Sequence, residues 1–132
     1  MNVILSIRPK YVESILNGKK LYEFRRSIFK DPEVERVYIY STSPVRKIVG
    51  YFVLRKIIEK NPASLWSECH SSAGIDEEEF FSYFSDKEVG YALRIGDVHT
   101  FDVPMDPQGI IPGFRPPQNF MYAPEGFHET HP

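Results

Sequence analysis

Asn17-Gly18-Lys19-Lys20-Leu21-Tyr22-Glu23-Phe24-Arg25-Arg26 is the stretch on which the fold turns. It reads as a helix stop, a short turn and then a strand carrying charge on both faces. Gly18 suits the left-handed position that ends a helix. Leu21, Tyr22 and Phe24 favour a pleated strand, whereas Lys20, Glu23, Arg25 and Arg26 are poor choices for an interior one. Strict alternation puts Lys20, Tyr22, Phe24 and Arg26 on one face, with Leu21, Glu23 and Arg25 on the other. Neither face is wholly apolar. Such a strand either lies at a sheet edge in water or lines a pocket whose charges are paired. Lys20 and Glu23 differ in parity, so they converge only if Lys20 belongs to the turn or the strand is bulged.

Working upstream, Val3, Leu5 and Ile7 alternate as a first strand. Pro9 then fits a first helical position, where its missing N–H costs nothing. Val12, Ile15 and Leu16 continue at helical spacing up to Gly18. Arg8 and Lys10 sit at the start of this helix, the positive end of its dipole, where cations are unfavourable unless an anion docks there. The plainer reading is that both reach into water. Downstream, Arg36 to Tyr40 is a strand with Val37 and Ile39 on one face and Tyr38 and Tyr40 on the other. Ser41-Thr42-Ser43-Pro44 is a hydroxyl-rich loop that offers donors to a phosphate or a base edge. Such loops more often bond their own backbone. Arg46 and Lys47 follow it directly and favour the ligand reading.

Ile48 to Ile58 reads as a long central strand, with Gly50 marking a bulge or bend. Asn61 caps a helix begun by Pro62, whose apolar stripe is Leu65, Trp66 and Cys69. Cys69-His70 has no second pair at zinc-finger spacing, so no metal or cofactor is expected. Asp76 and Glu79 form a capping box, with Ile75 and Phe80 as its hydrophobic staple. The acidic triplet Glu77, Glu78 and Glu79 reads as helix stabilisation and a solvated face. Val89, Tyr91, Leu93 and Ile95 alternate with Gly90, Ala92 and Arg94. This small-residue face leaves room for a helix or a ligand. Gly96-Asp97 predicts a tight turn into a hairpin partner, Val98 to Val103. The last nine residues, 124–132, read as a flexible tail after a domain spanning 1–123. Within that tail His128 and His131 are too weak a pair to indicate a metal.

The chain has 132 residues, one domain's worth, and a single cysteine, so no internal disulfide can form. There is no run of about 18 apolar residues and no basic leader, which favours a soluble cytoplasmic protein of unknown oligomeric state. The net charge of −2 hides a division. Residues 1–60 hold 13 Lys and Arg against 6 Asp and Glu, a balance of +7; residues 61–132 hold 3 against 12, a balance of −9. A basic face that meets phosphates would give this asymmetry, and so would two halves that neutralise each other.

Three further strings carry a resemblance. Ile-Arg-Pro-Lys-Tyr, Ile-Leu-Asn-Gly-Lys-Lys and Tyr-Glu-Phe-Arg-Arg resemble the opening of the ASCH domain family, within the PUA-like superfamily of small β-barrels. Val37 to Pro44, Ile48 to Phe52 and Pro116 to Phe120 extend the similarity over most of the chain, roughly Val3 to Tyr122. The resemblance implies an α+β fold: a PUA-like barrel of five or six mostly antiparallel strands, an N-terminal helix and a two-helix insertion. It implies RNA or a nucleotide-like ligand in a groove between the first helix and the sheet. For phosphates the sequence supplies Arg8, Lys10, Lys20, Arg25, Arg26 and Arg46. Tyr22, Tyr40 and Tyr91 are available for stacking, and Ser41 and Ser43 for hydrogen bonds.

Some ASCH relatives are hydrolases of acylated cytidine nucleosides and others ribonucleases. The nucleoside hydrolases use a Lys, a Thr and a Glu. Lys20 falls on the family lysine, but Glu23 stands where the threonine would be, which leaves no nucleophile. Lys20 and Glu23 remain the candidate catalytic pair. Replacing either by Ala is expected to leave the fold intact and abolish ligand binding.

Overall fold

The computed structural model describes residues 1–124, 126 and 127. Six strands form one sheet in the order β2-β5-β4-β3-β1-β6. They are β1 Asn2–Ile7, β2 Tyr22–Arg25, β3 Arg36–Ser41, β4 Lys47–Lys60, β5 Gly90–Met105 and β6 Phe120–Tyr122. Helix α1, Pro9–Leu16, joins β1 to β2, while α2, Pro62–Cys69, and α3, Glu77–Tyr83, lie between β4 and β5. The expected strand count, early helix and two-helix insertion are all present. Only β1 and β3 run parallel, with Val3 opposite Val37 and Leu5 opposite Ile39.

The long strands make the sheet curl. Register shifts interrupt the β4–β5 ladder at Ile48/Gly50, Phe52/Leu54 and Leu54/Lys56. Gly50 sits at the first, and a Cβ there would lie 2.3 Å from the His99 carbonyl oxygen. Bulges of this kind bend a strand and increase its twist. One expectation fails here: Gly96-Asp97 does not turn a hairpin. β5 runs straight through it, pairing Ile95 with Leu54, Val98 with Phe52 and Thr100 with Gly50. Gly96 lies opposite the Phe52/Leu54 register shift, where a Cβ would lie 2.8 Å from the Val53 carbonyl oxygen. A 14-residue partner strand offered continuous pairing, which a hairpin would have given up.

The result is a curled half-barrel whose two edges, β2 and β6, are not joined by backbone bonds. The Arg25 side chain reaches across instead. Its Nε donates to Asn119 Oδ1 at 2.8 Å and its Nη1 to the Ser6 carbonyl at 3.2 Å. Asn119 Nδ2 in turn donates to Ser27 Oγ at 2.9 Å.

Three apolar clusters fill the structure. One, between α1 and the sheet, holds Val3, Leu5, Ile7, Val12, Ile15, Val37 and Ile39. A second, on the opposite face, holds Ile4, Tyr38, Tyr40, Phe101 and Phe114. Phe127 also belongs to it, its ring edge-on to Tyr38 at 4.9 Å. Packing therefore reaches past the expected domain end at residue 123; His128 and His131, too weak a pair to indicate a metal, lie outside the described residues. The third cluster seats α2 and α3 on Phe24, Ile58 and Ala92. The small-residue face of β5 receives a helix: a Cβ at Gly90 would lie 2.3 Å from the Phe84 ring. No helix among the described residues is long and apolar enough to cross a membrane.

Candidate functional site

The end of α1 fixes the site's central residue. Gly18 takes φ +81, and the backbone N–H groups of Lys19 and Lys20 both donate to the Ser14 carbonyl, at 3.0 and 2.9 Å. Leu21 N–H then donates to the Ser72 carbonyl at 2.9 Å. These bonds hold Lys20 before β2 begins, which resolves the parity problem: Lys20 belongs to the turn. Its side chain is 2 % exposed. Nζ donates to the Ala73 carbonyl at 2.7 Å and stands 3.9 Å from Glu23 Oε1. The ammonium lies over the Phe24 ring at 4.8 Å and the Tyr11 ring at 5.2 Å, where each ring face attracts it. Gly74, at φ +66, leaves space for the Lys20 stem.

Glu23 is 4 % exposed. Its Oε2 accepts from Arg25 Nη1 at 3.0 Å, as expected for a Glu23–basic pair ordering a wall. Oε1 accepts no hydrogen bond from the described residues, since 3.9 Å to Lys20 is an ion-pair distance and not a hydrogen bond. Burial pushes the Lys20 ammonium below its ordinary range, and the Glu23 carboxylate opposes that shift.

This pair floors a cleft of about 540 Å³ bounded by α1, β2, α3 and the segment before β6. Across it stands a carboxylate that the sequence reading assigned to a solvated helix face. Asp76 caps α3 as expected, its Oδ1 accepting from Glu79 N–H at 2.8 Å. The Glu79 carboxylate, however, accepts from Tyr11 Oη at 2.6 Å and from Lys10 Nζ at 2.7 Å. The Lys10 bond, then the Tyr11 bond, hold Glu79 below the usual carboxylate range. Burial, then the Glu79 bond, push the Tyr11 hydroxyl up. Tyr11 and Glu79 both line the cleft and neither was anticipated. The only sequence signal was the Glu79 position in a capping box, which predicts a local bond; the true partners are 68 and 69 residues away.

Of the anticipated residues, Arg8, Lys20, Glu23 and Arg25 meet in this cleft. Lys10 is exposed and tied to Glu79. Arg26 is exposed and donates to the Tyr83 carbonyl at 3.2 Å. Tyr22 lines neither this cleft nor the second recess; its ring lies near Phe24 and under the Arg94 guanidinium. Ser41 is buried. Tyr91 lies opposite Arg25 in the β2–β5 ladder and lines neither this cleft nor the second recess. Tyr40 is 3 % exposed, packed against Phe114. It also touches a second recess, of about 720 Å³, together with Ser43 and Arg46. Among the described residues, no group of three or more His, Cys, Asp or Glu side chains is placed to hold a metal ion.

Fold and cleft together define a small PUA-like half-barrel with a charged recess beside its first helix. The chain belongs to the ASCH domain family, whose model matches residues 5–99. It is 30% identical over 121 residues to an ASCH domain-containing ribonuclease of Zymomonas mobilis, covering 90% of this chain and 82% of that one. The crystal structure of ASCH from Zymomonas mobilis superposes with a TM-score of 0.89 at 28% identity, covering 97% of this chain and 91% of that chain. A protein named ATP synthase subunit alpha from Ureaplasma parvum is 32% identical over 105 residues, 79% of this chain. Those residues are only 13% of that protein, so its name carries no argument here.

Proposed function

We propose that this protein binds RNA, taking one nucleotide unit into the cleft over Lys20 and Glu23. One observation carries the reading: Lys20 Nζ and Glu23 Oε1 stand 3.9 Å apart at a buried floor, with hydrogen-bonding capacity left on both. Nζ has three protons and gives one to Ala73. Buried polar groups favour a partner that satisfies them. A base edge, with a donor beside an acceptor, matches an ammonium beside a carboxylate oxygen. The cleft volume lies in the range of about 300–1,000 Å³ typical of small-molecule sites. The Arg8 side chain, at the rim, has no hydrogen bond or ion pair within the described residues and is available to a phosphate. The ribonuclease named among the relatives supports RNA as the ligand class. The test is calorimetric titration with a nucleoside monophosphate. Glu23→Gln keeps the volume but removes the charge, and is expected to weaken binding at least about ten-fold. Equal affinity in Glu23→Gln and the parent would overturn the reading.

A second reading, hydrolysis of RNA, rests on the lowered proton affinity of Lys20. A lysine so placed gives up a proton more readily than usual, as acid–base catalysis requires. Arginine stays protonated throughout, so Lys20→Arg is expected to lose cleavage of an end-labelled RNA. RNA left intact by the unaltered protein would remove this reading and leave the first.

A further inference from the structure

We propose that Glu79 is a positioning residue of the Lys20–Glu23 cleft: it anchors the Tyr11 hydroxyl, and so holds the Tyr11 ring against Lys20 and the Lys20 ammonium at the cleft floor. This rests on the single-nucleotide reading above and adds to it a residue that acts through another.

The contacts run from α3 across the cleft to its floor. Both Glu79 carboxylate oxygens lie within hydrogen-bond distance of Tyr11 Oη, at 2.7 and 2.6 Å. A hydroxyl donating to a carboxylate is among the shorter and stronger hydrogen bonds. The Tyr11 ring, on α1, in turn lies 5.2 Å from Lys20 Nζ, where its face attracts the ammonium. The other neighbours of Nζ are the Ala73 carbonyl, Glu23 and the Phe24 ring. Glu23 and Phe24 belong to β2 and move with it. Tyr11 arrives from a different helix, and its ring is steadied at the far end by Glu79.

The seating of the insertion does not depend on this bond. Phe80 and Phe84 are buried and meet the Phe24 ring edge-on, at 5.0 and 6.3 Å. Asp76 caps α3. The Glu79 side chain is 32% exposed, and its ion pair with Lys10, itself 67% exposed, adds little to folding. Yet the carboxylate lines the cleft together with Tyr11 and Lys20.

The charges agree with the geometry. Burial disfavours the Lys20 ammonium, while Glu23 first, and Glu79 after it, favour that form. One carboxylate acts from beside the lysine and the other from across the cleft.

Two readings test the proposal. One is calorimetric titration with a nucleoside monophosphate. The other needs no ligand: the NMR signals of the Lys20 Hε protons, assigned by their loss in Lys20→Arg, are displaced by the ring currents of Tyr11 and Phe24. Tyr11→Phe keeps the ring but unties it, and Glu79→Ala removes the acceptor. Each is expected to move the Lys20 signals and to weaken binding about ten-fold. Glu79→Gln keeps an acceptor for the hydroxyl. It should restore the signals and bring affinity to within about three-fold of the unaltered protein, the remainder being the lost charge. Asp76→Ala uncaps α3 without touching Tyr11. It should lower the thermal midpoint and leave the Lys20 signals in place. Unmoved Lys20 signals or undiminished affinity in both Tyr11→Phe and Glu79→Ala overturn the proposal. So does an equal loss of affinity in Asp76→Ala and Tyr11→Phe, which would make Glu79 a tether of the insertion and nothing more. If the signals move as expected but the unaltered protein binds no monophosphate, the single-nucleotide reading falls and the placement of Lys20 by Glu79 stands.

Discussion

Two neighbouring recesses share one wall and treat charge oppositely. In the first, Lys20 and Glu23 are almost wholly buried, and Arg25 divides its donors among Glu23, Ser6 and Asn119. In the second, Arg46 is exposed and Lys47 half-buried, and no side-chain partner within the described residues holds either. The difference separates two jobs that both look like "basic residue in a cleft". A buried ion held by a carbonyl and two rings organises structure and offers a rigid, selective contact. An exposed cation contributes little to folding and is free to meet a phosphate. Charge in the sequence is therefore a poor guide to role until burial is known.

The largest expected effect tests the buried side of this contrast. Lys20→Ala removes the donor to the Ala73 carbonyl, the ammonium beside Glu23 and a packed stem against Gly74. It should lower stability by about 2–4 kcal/mol, read by denaturant unfolding. The burial of the Lys20 stem stands against the expectation that the residue can be removed with the fold intact, and the unfolding measurement decides between the two. A loss below about 0.5 kcal/mol would erase the distinction between the two recesses.

Next in size is Asn119→Ala, which strips partners from Arg25 and from Ser27. A loss of about 1–2 kcal/mol is expected. Pro117, two residues before Asn119, belongs to the wall common to both recesses. Affinity for the nucleoside monophosphate should therefore fall as well. Unchanged affinity would show that this wall does not shape the cleft.

The smallest effect is a pH dependence under the insertion that carries Glu79. Cys69 is buried, and burial first of all pushes its thiol up from 9.0 to about 11. Between those values the unfolded thiol has lost its proton while the folded one keeps it. Folded protein then binds more protons, so stability falls as pH rises through this window and is fully retained below about pH 9. Lys20, shifted down, works in the opposite sense at alkaline pH. Cys69→Ala should make the alkaline decline shallower by roughly 1–2 kcal/mol, measured as unfolding free energy at pH 8 and pH 11. An identical decline in both proteins would show that the thiol does not report on this packing.

Much of the architecture was legible in local chemistry. Pro9 and Gly18 bracket α1. Asn61 and Asp76 cap α2 and α3 by the bonds their side-chain oxygens accept. The two-residue period of Val37–Tyr40 puts Val37 and Ile39 in one cluster and Tyr38 and Tyr40 in the other. Gly96-Asp97 misled because glycine suits a close approach or irregularity inside a strand as readily as a hairpin turn. Which one forms depends on whether a partner strand continues alongside, and that partner was about 40 residues away. Glu79 misled for a related reason, since a capping pattern predicts a local bond and cannot see Tyr11 arriving from another helix.

By itself, then, the sequence determined what neighbours in the chain can settle: where helices start and stop, which strand faces are apolar, and that Lys20 and Glu23 fall within one short segment. Only the tertiary structure decided that Lys20 is buried, that Arg25 bridges the open edges of the half-barrel, and that Glu79 faces Tyr11. It alone also decided that Ser6, Thr42 and Pro117 form a wall common to the two recesses. Capping and periodicity act over a few residues, whereas burial and ion pairing depend on which distant surfaces the curl of the sheet brings together.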